Sequence, residues 1–226
     1  MVQSATFPVD VGWQALLKDL GLSPAQVLRR AALPEDLLSG GKQPLSTQDY
    51  FRFWRALETE SGEAMFPLRV IETLTTESFS PPLFAALCSP DLIKAAQRLA
   101  TYKKLVCPME LMLDVGPEGE LTVSPRWLTL QAEAPLSLQI AEIAFFLWFA
   151  RLATHEPVRA RRVVLPVCFP EAQARRYEKF FGTSIMKGSV PSITFTARDA
   201  LRPFLTVSEG MWRVFEPDLR RRLSEL

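Results

Sequence analysis

Apolar side chains recur at helical intervals from Val11 to Leu105, alternate between Met109 and Trp127, and then merge into a nearly unbroken apolar stretch. In residues 11–20, Val11, Leu16, Leu17 and Leu20 share one side, and Gly21 stops the helix by adopting a left-handed conformation. Ser23-Pro24 restarts the chain with a cap and a proline at the first helical position, followed by Val27, Leu28, Ala31 and Ala32. A small turn over 34–38 ends at Gly40-Gly41. Ser46 caps the next helix, with Asp49 where a capping box has Glu, and Tyr50, Phe51, Trp54 and Leu57 form its stripe. Residues 67–74 predict a further helix. Ser80-Pro81 and Ser89-Pro90 each start one more, the second reaching about Leu105.

The alternation of Met109, Leu111, Leu113 and Val115, then of Leu121, Val123 and Trp127, around the turn 116–119 predicts a β-hairpin. Pro125 lacks an N–H, so the second strand is expected at an edge or to end in a bulge there. Residues 137–154 predict a helix apolar nearly all round, hence covered on several sides. A β-branched interior strand (162–167), an amphipathic helix (172–181) ended by Gly182, two short strands (184–186 and 192–195) read as a hairpin, and a last helix (208–226) follow. The order predicts an α+β fold. It opens with an N-terminal helical layer, followed by a four- to five-stranded, mostly antiparallel sheet backed by the long buried helix. Residues 1–205 are expected to form one body and 206–226 a linker or dimerisation helix.

Composition narrows the function classes. The 226 residues are 48% hydrophobic and 23% charged, with 26 Lys and Arg against 25 Asp and Glu, a formal charge of +1. Near-balance gives no long-range attraction to nucleic acid or an anionic membrane. Cys88, Cys107 and Cys168 form no CxxC pair, and His155 is the single histidine, so no metal site or disulfide framework is expected. No cofactor is expected, because the sequence holds no GxGxxG, GxxxxGK[ST], GxSxG or HExxH. The N-terminus lacks a secretory pattern and no apolar run reaches a membrane span, so the expectation is a cytoplasmic chain with reduced thiols.

Three features carry candidate chemistry. Phe79, Phe84, Tyr102, Phe145, Phe146, Trp148 and Phe149 fall on neighbouring segments. They either pack as core or line an apolar pocket for a small molecule, its polar end oriented by Tyr102, Lys103, Lys104 or Arg151. His155, followed by Glu156, is either a helix-end residue or a base in an enzyme site. Met211, Phe215, Leu219 and Leu223 draw an apolar seam on the last helix, for dimerisation or for docking on the domain. Glu216-Pro217 is expected to bend or restart that helix. Arg29-Arg30 sit in a helix–glycine–helix pattern, but these short apolar helices are not expected to read DNA.

The segments GWQALLKDLGLSPAQVLRRAALPEDLL, PLSTQDYFRFWRALE, SFSPPLFAALCSPDLIKAAQRLATYKKLV, RRVVLPVCFPEAQARRYEKFFG and RPFLTVSEGMWRVFEPDLRRRLSEL resemble the arabinose-binding-type N-terminal domain of AraC-type transcription regulators. The resemblance implies a non-enzymatic domain that senses a small-molecule effector or holds a homodimer. It also implies DNA contact only through a C-terminal domain with two helix-turn-helix units, which this chain does not contain. The competing reading is a small-molecule enzyme of α+β type with His155 in its site.

Overall fold

The structure, a computed structural model, describes residues 6–9, 12–39, 43–76, 79–128 and 133–226. Gly40-Gly41, where the turn over 34–38 was expected to end, and Val11 lie outside them. The first described element is a strand, β1 (Thr6–Val9), where the sequence pattern predicted only helices. Helices α1 (Gly12–Asp19) and α2 (Pro24–Arg30) follow, and then β2 (Gln43–Ser46), which pairs antiparallel with β1, Pro8 opposite Pro44. Two four-residue strands, each holding a proline and separated by two helices, leave no alternation to read. What seats the ribbon is Phe7, stacked on Tyr50 at 3.7 Å between ring centroids and edge-on to Phe51.

Helix α3 (Thr47–Ser61) starts as predicted. The Ser46 hydroxyl accepts from the Asp49 N–H (3.1 Å) and donates to its carboxylate (2.8 Å). Next come α4 (Phe66–Thr73), α5 (Pro81–Leu87) and α6 (Leu92–Tyr102), followed by a single 3-10 turn, Lys103–Leu105. The cap of α6 is Asp91, whose side chain accepts from Lys94 N–H at 2.8 Å, rather than Ser89.

The main sheet has five strands in the order β3 (Met109–Val115), β4 (Leu121–Trp127), β7 (Ser192–Phe195), β5 (Arg162–Leu165), β6 (Ile185–Lys187). The β3–β4 hairpin forms in the predicted register. Gly116 N–H donates to Glu120 O and Leu128 N–H to Pro108 O, so the even-numbered residues carry the ladder bonds to β3. Pro125 therefore turns its missing donor toward the β7 side, where pairing extends only over Leu121–Val123. β6 and β7 do not form the expected hairpin. β5 lies between them, parallel to β6 and antiparallel to β7, because α8 (Glu171–Phe181) carries the chain over from β5 to β6. The link back to β7 crosses tightly beside β5. Gly188 donates to Leu165 O at 3.0 Å, and a β-carbon on it would lie 2.6 Å from Val164 Cγ1.

Helix α7 (Leu136–Thr154) packs against α4 on one side and against β4 and β7 on the other. Among the described residues it is the one helix long and apolar enough to cross a membrane, and 67% of its apolar window is buried inside the protein. The helix is the core of the domain. After the short α9 (Ala197–Ala200), α10 (Glu209–Ser224) closes the chain and runs through Pro217 without a break.

Candidate functional site

A cavity of about 230 Å³ opens between the helical layer and α7. Its wall is built from Trp13 and Leu16 of α1, Tyr50 and Trp54 of α3, Val70 and Ile71 of α4, Leu83 of α5, and Leu138, Ala141 and Phe145 of α7. Two charged side chains face this apolar lining, Lys103 from the 3-10 turn and Glu142 from α7. Lys103 Nζ donates to Glu142 Oε2 at 2.9 Å, and the two side chains are only 7% and 17% exposed. Burial by itself would lower the Lys103 ammonium, but Cys107 and the hydrogen-bonded Glu142 carboxylate hold it above the usual lysine value. Burial pushes the Cys107 thiol up to about 12, against the pull of Lys103. It raises Tyr50 well above 10.0 too, with Glu142 and Cys107 adding to the effect. The cluster is therefore a Lys103–Glu142 ion pair beside a thiol and a phenol that burial keeps protonated.

The Trp54 wall is fixed from behind. Its indole N–H donates to Ser137 Oγ (2.9 Å), which donates to Glu58 Oε2 (2.7 Å), tying α3 to α7. The geometry suits binding, because a concave, mostly apolar wall with a few convergent polar groups fixes a ligand's orientation. Larger grooves flank α10, one of about 580 Å³, but exposed Lys94, Gln97 and Arg220 help to line it and it holds no buried ion pair.

Of the residues singled out from sequence, Lys103 and Phe145 line the cavity. Phe79, Trp148 and Phe149 form a ring cluster behind Phe145, with centroids 5.5–6.3 Å apart, and Phe84 extends it outward to stack on Phe215. Tyr102 faces the opposite way, under α10, 6.3 Å from the Trp212 ring. Arg151 does not line the cavity. Its guanidinium donates to Val158 O (2.9 Å) and Phe180 O (2.7 Å), which fastens α7 to α8. Glu142, Trp13 and Trp54 were not anticipated as site residues. Glu142 was findable, since a lone carboxylate in the middle of an apolar 19-residue helix requires a buried cation.

His155 is exposed and sits at the left-handed C-cap of α7 (φ 54°), with its N–H on Arg151 O. It lies away from the cavity lining, which leaves the enzyme reading without a site there. A β-carbon in this backbone region costs about 1–2 kcal/mol, and the extra freedom of unfolded glycine takes back about 0.4–1 kcal/mol. His155→Gly is therefore expected to raise stability by about 0.5–1 kcal/mol, or roughly 1–4 °C in Tm. Thermal unfolding followed by circular dichroism checks this, and a lower Tm would refute the backbone argument.

The seam on α10 docks on its own domain. Leu219 is fully buried against Ala85 and Tyr102, flanked by Trp212, Phe215, Leu223 and Leu105. Met211, expected in that seam, is 46% exposed, and Trp212 takes its place. Arg98, 6% exposed, lays its guanidinium 3.7 Å from the Trp212 ring centroid and donates to Ser89 Oγ. The lead-in to α10 is stapled as well, by Thr206 Oγ1 to Leu87 O and Ser208 N–H to Cys88 O. Thus α5 and the turn after α6 each have two sides. Leu83, Lys103 and Val106 face the cavity, while Phe84, Ala85, Tyr102 and Leu105 face α10.

The α+β domain thus carries an apolar cavity on one side of α5 and the 3-10 turn and a docked terminal helix on the other. Residues 21–204 match the family described as the arabinose-binding domain of AraC transcription regulators, N-terminal, and the chain belongs to that family. Among solved structures it is similar to the crystal structure of the transcriptional regulator CdpR from Pseudomonas aeruginosa. The identity is 14% and the TM-score 0.60, over 94% of this chain and 65% of that one. The chain thus spans slightly less than two thirds of that regulator's length. Among curated proteins none matches.

Proposed function

We propose that the chain is the effector-sensing part of a transcription regulator, with the small molecule held in the Lys103–Glu142 cavity. Its occupancy is passed to α10. The observation that carries the reading is the buried ion pair facing an apolar cavity on the same segments that seat α10. A ligand touching Leu83 and Lys103 biases the bed on which Phe215 and Leu219 lie, and so shifts α10 between two arrangements. Residues 206–226 then act as the linker to a DNA-binding domain, and the domain itself catalyses nothing. The regulator works in the cytoplasm as a homodimer. Because Phe215, Leu219 and Leu223 are engaged within the chain, a second copy reaches them only when α10 lifts, and otherwise pairs through another face.

A thermal-shift screen of small apolar and aromatic compounds tests this, run in parallel on the chain and on Ala141→Phe, which fills the cavity. A ligand at one hundred times its Kd adds about 2.7 kcal/mol, or about 5–10 °C. The expected result is compounds that raise Tm in the unaltered chain and not in the variant. If every hit acts equally on both, the cavity is not the effector site.

A further inference from the structure

We infer that the cavity takes an uncharged, compact, mostly apolar or aromatic molecule carrying one hydrogen-bond acceptor beside one donor, and not the polyhydroxylated sugar of the family's name. The inference rests on the reading that the cavity is the effector site. Charge is the first argument. Among the described residues, Lys103 and Glu142 are the charged side chains of the lining, and they are in contact. An anion brought to Lys103 Nζ also lies against the Glu142 carboxylate. A cation brought to Glu142 lies against the ammonium. Both partners of the pair are mostly buried, so a like charge beside either is repelled more strongly than in water, and net neutrality of the pair selects net neutrality in the guest.

Hydrogen-bonding capacity is the second argument. An ammonium has three donors; the 2.9 Å contact with Oε2 uses one and the hydrogen bond to Cys107 a second, which leaves one for a guest. A guest that accepts from Nζ and donates to Glu142 Oε1 extends the pair without breaking it, as a carboxamide or a phenol does. A pentose carries a hydroxyl on nearly every carbon. Beyond Lys103 and Glu142, the described lining offers the Tyr50 hydroxyl and the indoles of Trp13 and Trp54, and the Trp54 indole is committed to Ser137. The remaining hydroxyls would be buried unpaired against Val70, Ile71, Leu74 and Leu138. Size is the third argument. A dry apolar cavity of about 150 Å³ takes benzene, so about 230 Å³ takes one substituted ring.

Benzamide, benzoate and benzylammonium share one shape and differ in charge, which makes them the probes. Binding to the 226-residue chain at neutral pH is followed by ligand-observed NMR and by the fluorescence of the wall tryptophans, with L-arabinose as a fourth compound. Benzamide is expected to bind at least about tenfold more tightly than either ion, and L-arabinose not to saturate. In Glu142→Gln, which leaves the ammonium unopposed, the order is expected to move toward benzoate. The comparison on the unaltered chain stands whether or not that variant folds. An ion binding as tightly as benzamide, or L-arabinose competing with it, overturns the ligand class but leaves the cavity a ligand site. If none of the three ring probes binds saturably, both the class and the site fall.

Discussion

Lys103→Met is expected to lower stability by about 3–5 kcal/mol, because it leaves the Glu142 carboxylate buried without its counter-ion. For a domain of this size the corresponding fall in Tm is roughly 6–20 °C. Adding Glu142→Leu to the same chain is expected to restore most of the loss, since two apolar side chains in place of a buried pair are close to neutral in energy. The double variant also distinguishes this account from simple packing. If Lys103 mattered only through its stem, the second substitution would enlarge the damage, and the two effects would add. Chemical denaturation of the four chains of the cycle measures the coupling, and a coupling near zero would mean that the pair is solvated rather than buried. A restored double variant that no longer responds to ligand would place the pair's value in recognition rather than in folding.

The same pair shows what the sequence could reveal. Helices with caps and stripes were legible because their signals are local. Ser46 with Asp49 and the period of Met109–Val115 both lie within a few residues of what they specify. The β1–β2 ribbon was not legible, because each strand is four residues long and is held by Phe7 stacking on Tyr50, a contact far along the chain. The β6–β7 hairpin was predicted from proximity, whereas the interposed β5 is set by the crossover through α8. The aromatic residues were recognised as a group, but a helix apolar on all sides gives no indication of which rings face a void. Phe145 lines the cavity, while Phe149, four residues on, is fully buried among other rings. On α10 the apolar spacing identified Phe215, Leu219 and Leu223 as a seam but not its partner. The partner is supplied by Ala85 and Tyr102 from distant parts of the chain.

The second large effect is a loss of stability in alkali that begins at the Cys107 thiol. Its pKa is pushed from 9.0 to about 12 by burial. Below pH 9 the thiol is protonated in both folded and unfolded chains, and its contribution is fully present. Between pH 9 and 12 the unfolded chain releases the proton while the folded chain keeps it, so stability falls by about 1.4 kcal/mol per pH unit. By pH 10.5 the thiol alone accounts for about 2 kcal/mol. Tyr50, also raised by burial, adds a loss of the same sign above pH 10. Lys103, held above its ordinary 10.5, adds its own only at higher pH still. Urea unfolding at pH 8, 9, 10 and 10.5 is expected to show this decline, and Cys107→Ala is expected to remove most of its first part, where Tyr50 and Lys103 do not yet titrate and only Cys88, also raised by burial, adds a smaller loss. Parallel curves for the two chains would mean that the thiol is not the source. The protonated thiol matters for the site as well: it leaves Lys103 and Glu142 to balance each other, which is the condition under which the cavity favours a neutral guest.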